Sequence, residues 1–184
     1  MSTSSSFTRL RELLPQLFQE PEFQGNPYLR FSLNAQLSAL ILMEKVKESL
    51  SVSAEKITPI PSLPSFVMGL MSSRDSVFLV VDLAQLIGLS PLSTYLRQYN
   101  VIVLDLSSFL DSSQNLLVGF AVNRIQGVNR FLPEQIAGGV NLNESLITKH
   151  LPKNSKEYFS SQCQGKDGEL MILELSKIFR TLKH

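Results

Sequence analysis

The chain has 184 residues, of which 43% are hydrophobic, and carries 17 basic and 16 acidic side chains for a net charge of +1. This balance provides no basic surface for nucleic-acid phosphates, and no apolar stretch approaches the roughly 20 residues that span a bilayer. The single cysteine, Cys163, excludes an internal disulfide and zinc sites built on cysteine pairs. With no secretory signal at the N-terminus, the sequence predicts a cytoplasmic globular protein that binds no nucleic acid and does not insert directly into a membrane.

The sequence divides into an N-terminal extension, residues 1–24, and a main domain, residues 25–184. The first six residues are small and polar, which is typical of disorder. Residues 7–20 then carry apolar side chains at helical spacing and predict an amphipathic helix, interrupted at Pro15. We expect this helix to pack on the main domain, because an exposed apolar stripe promotes aggregation; docking to a partner is the alternative. The apolar positions are Phe7, Leu10, Leu13, Leu14, Leu17 and Phe18.

Strand patterns begin at residue 28. Residues 28–33 alternate apolar and polar side chains, as a half-buried strand does, and residues 37–43 can return as a second strand. Residues 44–47 predict a single helical turn. The pattern of residues 47–52 fits a strand and a helix equally well.

Residues 57–64 contain three prolines, which fix φ and remove backbone N–H donors. We therefore expect this segment to be extended and to lie outside the centre of any sheet. Residues 66–70 predict a strand, and residues 71–76 predict a turn.

The next segment combines a strand with a short helix. Residues 77–81 are a continuous β-branched and aromatic run, which indicates a strand buried on both faces. Asp82 can cap a brief helix that extends through Leu86 and ends at Gly88.

The second half of the chain repeats this alternation of short strands and turns. Residues 101–106 and 116–122 predict a hairpin around a polar loop. Further predicted elements are a strand and turn at 124–132, a loop at 133–146, a strand at 158–164, a tight Asp-Gly turn at 166–168, a strand at 169–175 and a closing helix at 175–182.

Many short strands separated by turns, with few helices, predict a mainly β protein built as small barrels or a sandwich. Residues 77–87 and 170–179 share an order of elements, since each runs from a strand through an acidic residue into a short helix. This weak internal similarity suggests two related lobes.

The sequence offers little for catalysis. Its two histidines, His150 and His184, are distant in sequence from Cys163, and no phosphate-binding or dinucleotide motif occurs. We therefore expect no enzyme activity, no metal and no cofactor. A buried or edge thiol is the favoured role for Cys163.

Four charged residues merit separate interpretation. Asp82, Asp105 and Glu174 follow apolar runs, where caps and surface positions at strand ends are more frequent than paired catalytic carboxylates. Arg74 lies in a predicted turn, where its guanidinium could make planar contacts with a partner or simply be solvated. The residues alone do not decide between those two roles.

Residues 57–70, Arg74 and residues 77–89 together resemble the signature of the CheW coupling-protein family. In this sequence that signature is a proline-punctuated entry, a Phe-Val-Met-Gly strand, a turn with an arginine, and an apolar strand that ends in Asp-Leu. Residues 28–33, 118–136 and 158–182 resemble the opening strand, the second-lobe core and the closing hairpin and helix of the family. The resemblance covers residues 28–182.

This resemblance implies two packed five-stranded β-barrel lobes and a non-enzymatic adaptor. Its implied partners are the regulatory domain of a CheA-type histidine kinase, itself CheW-like, and the tip of a methyl-accepting chemoreceptor-like protein in membrane-associated arrays. By position, Arg74 and Gly69 match residues that the family uses at the receptor surface, and Val46 and Glu48 are further candidates for that surface.

The sequence departs from the family pattern at three places. The turn carries Ser-Ser-Arg-Asp at 72–75 instead of Asn-Leu-Arg-Gly, and Asn123 replaces an aspartate. The helical extension at 7–20 resembles longer members of type IV pilus and phototaxis systems, some of them cyanobacterial. Two alternatives follow: a degenerate spacer that binds kinase but no receptor, and a β-barrel that binds a small molecule or acts as an enzyme through Asp82, Asp105 or Cys163.

Overall fold

The computed structural model describes residues 24–74, 76–110, 115–138, 151–165 and 168–183. Within these residues the chain forms eleven β-strands, two short α-helices and several 3-10 turns. The strands are β1 Asn26–Ser32, β2 Ser38–Leu42, β3 Val46–Ser53, β4 Val67–Ser73, β5 Ser76–Asp82, β6 Gln98–Asp105, β7 Leu117–Val122, β8 Arg124–Phe131, β9 Ile136–Gly138, β10 Phe159–Gly165 and β11 Gly168–Leu173. The helices are α1 Leu83–Leu86 and α2 Leu175–Lys183.

The strands form two sheets, here called lobe A and lobe B. Lobe A has the strand order β8-β1-β2-β11-β10-β9, and lobe B has the order β3-β6-β7-β5-β4. Each lobe contains one parallel pair, β2 with β11 and β5 with β7, and its other pairs are antiparallel. Lobe A therefore combines the two ends of the main domain, whereas lobe B is formed by its middle.

Each sheet curls so that its two edges approach each other. In lobe B the chain leaves β3 through a 3-10 turn, Ala54–Lys56, and Thr58 then pairs with Leu70 of β4 at the opposite edge. The two residues exchange backbone hydrogen bonds of 2.8 Å in both directions. In lobe A, β8 leads through Pro133–Gln135 directly into β9, which pairs with β10 at the far edge. The lobes are therefore closed in the same way.

The segments β5–α1 and β11–α2 occupy equivalent positions in the two lobes. In each lobe this strand, β5 or β11, is one member of the parallel pair of the sheet and is followed directly by a helix. This equivalence gives a structural basis for the internal similarity between residues 77–87 and 170–179.

The described residues form three hydrophobic clusters, one inside each lobe and one between the lobes. One lies inside lobe B around Phe78 and Val101, and another lies inside lobe A around Leu40 and Leu170. The largest lies between the lobes, where Phe31 of lobe A and Phe120 of lobe B are both fully buried. Each sheet therefore has one face inside its own lobe and the other in a shared core, which fixes the lobes as one folding unit.

The predicted fold class is confirmed: the protein is mainly β and has two packed lobes. Lobe B has the five predicted strands, but lobe A has six. The additional strand β9 lies within residues 133–146, which the sequence predicts to be a loop. Its three residues are too few to produce a detectable alternation.

Two further details of the sequence prediction were wrong. Residues 71–76 are not one turn, because β4 extends to Ser73 and β5 begins at Ser76. Residues 77–81 are not buried on both faces, because Val77 is 67% exposed. Residues 47–52, which the pattern left undecided, belong to strand β3.

The predicted N-terminal helix at 7–20 lies outside the described residues, and the division at residue 24 stays a prediction. Among the residues that the structure describes, no helix has the length and apolar character needed to cross a bilayer.

Candidate partner-binding site

Arg74 stands at the tip of the β4–β5 hairpin. The last strand pair before the tip joins Ser73 to Ser76, and Arg74 is exposed with a left-handed φ of +50°. None of the ion pairs between described residues involves Arg74. A guanidinium carries five N–H donors in a planar arrangement that suits a planar acceptor on a partner.

An apolar stripe runs along β5 toward this tip. Val77, Leu79 and Val81 lie on one face of the strand, because alternate residues share a face. Val81 is fully buried in the core between the lobes, Leu79 is partly buried, and Val77 is 67% exposed. The hairpin thus presents an aliphatic side chain and a guanidinium close together, a combination suited to protein recognition.

Beside the stripe lies an apolar concavity of about 230 Å³, here called the inter-lobe groove. Lobe B contributes one wall, and helix α2, the last element of the chain, contributes the other. Phe179 of α2 stacks on Phe109, with ring centroids 5.6 Å apart. The groove is lined by Leu79, Leu110, Leu116, Val118, Phe179, Leu182 and Lys183.

A second, more polar concavity of about 560 Å³ lies at the hairpin. Leu70, Ser72 and Val77 of the hairpin line it, together with Glu55, Lys56 and Thr58 of the segment that closes lobe B. Val77 lines this polar concavity, and Leu79, two residues further along β5, lines the apolar one.

Gly69 lies inside the closure of lobe B. It is buried at an irregularity of strand β4, with φ +150°. A Cβ at this position would lie 2.2 Å from the carbonyl oxygen of Thr58, closer than atoms can approach. This close approach requires glycine for a structural reason, and the expected role of Gly69 at a partner surface stays a prediction.

Val46 and Glu48 lie at the start of β3, on the opposite edge of lobe B from Gly69. The register of β3 shifts between them, and both are half-buried. Val46 packs against the core between the lobes. Glu48 shares a cross-strand row with Val103, Gly119, Val80 and Gly69. If the sheet were flat, four strand spacings of about 4.8 Å would separate Glu48 from Gly69. The two residues can therefore approach each other only because the sheet curls.

The three carboxylates all act as local caps. Asp82, 4% exposed, accepts hydrogen bonds from the backbone N–H groups of Gln85 (3.1 Å) and Leu92 (2.7 Å). Asp105 accepts from the backbone N–H of Ser107 at 2.9 Å, and hydrogen bonding by Ser107 lowers the pKa of Asp105.

Glu174 follows the same pattern, since it accepts from the backbone N–H and, at 2.6 Å, from the hydroxyl of Ser176 at the start of α2. The capping interpretation of Asp82, Asp105 and Glu174 therefore agrees with the structure.

The residues of the enzyme alternative do not converge. Asp82 and Asp105 pair with Ala121 and Leu117 of β7, four residues and about 13 Å apart along the strand. Cys163 is 3% exposed inside lobe A, and burial raises the pKa of its thiol to about 11. None of the three lines either concavity.

His150 and His184 lie outside the described residues. Among the residues that the structure describes, no group of histidine, cysteine and carboxylate side chains could hold a metal ion.

Asn123, where the family pattern has aspartate, has a structural role. Its backbone N–H donates to the carbonyl of Ser32 at 3.1 Å, and its side-chain amide donates to the Ser32 hydroxyl at 3.2 Å. These bonds tie the β7–β8 junction to the end of β1, where lobe B passes into lobe A.

Sequence reasoning missed Val77 and the groove. The exposure of Val77 could not be predicted, because all residues of its strand segment, 77–81, are apolar and show no alternation. The groove unites residues from segments as distant as Leu79 and Leu182, and no local pattern carries that information. Tyr95, 94% exposed between β5 and β6, was also missed.

Two curled sheets around a shared core, with an exposed hairpin beside grooves, define a two-lobed β scaffold. The chain belongs to the family described as CheW-like domain, whose model matches residues 27–183. The fold is similar to the crystal structure of the scaffolding protein TtCheW from Thermoanaerobacter tengcongensis, with a TM-score of 0.64 and 19% identity over 85% of this chain and 93% of that one. No curated protein shows significant sequence similarity. The protein is therefore a CheW-like domain.

Proposed function

We propose that this protein is a non-enzymatic adaptor that couples a CheA-type histidine kinase to a chemoreceptor-like sensor. Membership of the CheW-like family supports this proposal. The observation that carries it in this chain is the hairpin surface, where Arg74 and Val77 are exposed and Leu79, on the same strand as Val77, lines the inter-lobe groove. An adaptor transmits a signal by binding one state of a partner better than another, which requires surfaces and no chemistry.

The hairpin surface is proposed to bind the receptor. A receptor helix could place apolar residues in the groove and an acidic residue against Arg74, as amphipathic helices bind grooves in other complexes. Val46, Glu48 and Gly69 are proposed to support the same surface, Gly69 through the shape of the lobe.

The kinase regulatory domain needs a separate surface, and the opposite end of lobe B offers one. There Tyr95 is 94% exposed, and Leu63 and Leu96 are 41% and 40% exposed. Large exposed apolar side chains are enriched at protein interfaces. Binding at both ends would leave lobe B between the two partners, as a coupling role requires.

The cellular setting is also a proposal. The adaptor would be cytoplasmic and recruited to membrane-associated receptor arrays. A role in phototaxis or type IV pilus motility rests only on the N-terminal extension, which lies outside the residues that match the family model.

The proposal is tested by mixing the purified protein with the CheW-like regulatory domain of a histidine kinase from the same organism. Size-exclusion chromatography with light scattering should show a stoichiometric complex. If no such domain forms a complex, kinase coupling is wrong.

A receptor fragment then separates the adaptor from the spacer alternative, which the altered turn at 72–75 favours. Arg74→Ala should weaken receptor binding, whereas Arg97→Ala, an exposed arginine at the other end of lobe B, should not. Equal affinity of both variants and the unmodified protein would contradict a role for Arg74. Kinase binding without receptor binding by any of the three would support the spacer.

A further inference from the structure

We propose that Phe109, which does not line the inter-lobe groove, is a positioning residue for the partner that binds there. Its ring stacks on Phe179 and so holds the last turn of helix α2 against lobe B, which fixes the distance between the two walls of the groove. This inference rests on the proposed function, because it concerns how the groove is kept ready for a receptor helix.

The two walls of the groove differ in how they are held. The wall from lobe B includes Leu79 and Val118, which pair with each other in the parallel strands β5 and β7. The wall from α2 is formed by Phe179, Leu182 and Lys183 near the end of that helix. A position inside a sheet is fixed by its neighbouring strands, whereas the end of a helix frays unless tertiary contacts hold it. The width of the groove therefore depends on the contacts of the last turn of α2.

Contacts outside the groove hold α2 in place at Ile178 and Thr181. Ile178 is fully buried in the core between the lobes, and the Thr181 hydroxyl lies 3.1 Å from that of Tyr158. The groove-lining Phe179 is only half-buried, and its ring centroid lies 5.6 Å from that of Phe109 with an angle of 23° between the rings. The stack therefore joins the groove side of the helix to lobe B.

Phe109 is itself held in place by the turn between β6 and β7. The side chain of Asp105 accepts a hydrogen bond from the backbone N–H of Ser107 at 2.9 Å, and the Ser107 hydroxyl accepts one from the backbone N–H of Leu116 at 2.9 Å. Leu106 donates its backbone N–H to the carbonyl of Leu116 at 2.8 Å, and Phe109 donates to the carbonyl of Leu106 at 3.0 Å. These bonds join both ends of the turn, so the backbone that carries Phe109 is fixed before a partner binds.

The same turn places two further residues of the groove. Leu110 and Leu116 both line it, and Leu110 donates its backbone N–H to the carbonyl of Ser107 at 3.0 Å. Together with Phe179, three of the seven described residues that line the groove therefore depend on one hydrogen-bonded turn of lobe B. A groove that is ordered before binding spares the complex the entropy cost of ordering it. Loss of the Phe109 ring should therefore weaken binding without the loss of any contact to the partner.

Receptor binding by three single variants tests the proposal. Phe109→Leu keeps an apolar side chain but removes the flat ring, and Phe109→Tyr keeps the ring. Phe66→Leu is the matched control, because Phe66 is also half-buried and packs against the same core but does not line the groove. Binding is measured well below the unfolding temperature of each variant, so that a loss of stability alone does not reduce it.

Phe109→Leu should bind the receptor fragment roughly three- to tenfold more weakly than the unmodified protein, the range expected for the loss of one aromatic stack. Phe109→Tyr and Phe66→Leu should bind with nearly unchanged affinity.

Amide hydrogen exchange on the same proteins reports on α2 in the absence of a partner. The amides of residues 179–182 should exchange several-fold faster in Phe109→Leu than in the unmodified protein, because the last turn of the helix opens more often. Phe66→Leu should leave these rates unchanged. Equal exchange rates in the two leucine variants would overturn the role of Phe109 in holding the helix.

Two binding results would also overturn the proposal. Equal affinity of Phe109→Leu and Phe66→Leu would show that the partner does not depend on the stack. A loss in Phe109→Tyr as large as that in Phe109→Leu would show that stacking is not the cause. If the unmodified protein binds no receptor fragment, the proposed function is wrong, and the exchange rates alone decide whether Phe109 holds the helix.

Discussion

A Cβ atom on residue 69 would lie 2.2 Å from the carbonyl oxygen of Thr58, which accepts a hydrogen bond from Leu70 at 2.8 Å. The closure of lobe B therefore depends on the absence of a side chain at Gly69. Because Arg74 and Val77 belong to the hairpin that this closure supports, a substitution at Gly69 can affect binding without touching a partner.

Gly69→Ala is expected to lower the free energy of unfolding by at least about 2 kcal/mol. The cost combines a backbone conformation disfavoured for alanine with overlap against backbone atoms that cannot move aside. Urea unfolding followed by circular dichroism measures it. Gly127→Ala is the matched control, since Gly127 also has a positive φ but no neighbour within 4 Å of a built Cβ. It should cost about 1 kcal/mol, and equal losses would contradict the steric argument.

Asp82→Ala is expected to destabilise the protein by about 2–3 kcal/mol, because two partly buried backbone N–H groups lose the buried carboxylate that accepts from them. Asp82→Asn should recover only part of this loss, since an amide offers one accepting atom. Asp105→Ala removes an exposed cap and should cost less than about 1 kcal/mol. Urea unfolding of the three variants measures the loss in the free energy of unfolding for each. A loss for Asp105→Ala as large as that for Asp82→Ala would contradict the explanation that Asp82 contributes more because it is buried.

Arg74→Gly is expected to leave stability unchanged or raise it by up to about 1 kcal/mol, because glycine adopts the left-handed conformation of residue 74 without a steric penalty. The same variant loses the guanidinium and should bind the receptor fragment more weakly. Thermal unfolding and a binding titration on one preparation test both statements. A variant that binds normally would show that the guanidinium is not needed.

Cys163 is expected to resist alkylation in the native protein. Its ordinary pKa of 9.0 is raised to about 11 by burial, so native thiolate is roughly 100-fold scarcer than in the unfolded chain at neutral pH. Mass spectrometry after iodoacetamide treatment, with and without urea, measures the difference. Rapid native labelling would place the thiol at the surface.

The same pKa predicts how stability changes with pH. Because folding raises the pKa of Cys163, its thiol contributes to the free energy of unfolding. This contribution is fully present below pH 9 and is lost as the pH rises through 11, since the thiol loses its proton at a lower pH in the unfolded chain than in the folded protein. In Cys163→Ala, the free energy of unfolding measured with urea should fall less steeply at alkaline pH than in the unmodified protein. An identical fall in both proteins would contradict the attribution of this pH dependence to Cys163.

The sequence by itself predicted what depends on local patterns. Period-two alternation located strand β1, and the return of the chain after a turn located β2. The Asp82 carboxylate marked the start of α1, and the prolines of residues 57–64 placed that segment outside the sheet centre. Arg74 was correctly placed at a turn, because the small polar residues around it form a local turn pattern between two apolar runs. The long signature from 57 to 89 resembled one family, and the family match agrees with it.

Tertiary structure decided the rest. The pairing of β2 with β11 joins residues about 130 positions apart, and no local pattern specifies such a partner. Burial of Val81 and exposure of Val77 differ because only one end of β5 is covered by lobe A. The short strand β9 exists because β10 offers it an open edge. Periodicity reports which faces of a segment are apolar. The groove lined by Leu79 and Leu182 depends instead on how two distant faces pack, which is a property of the assembled lobes alone.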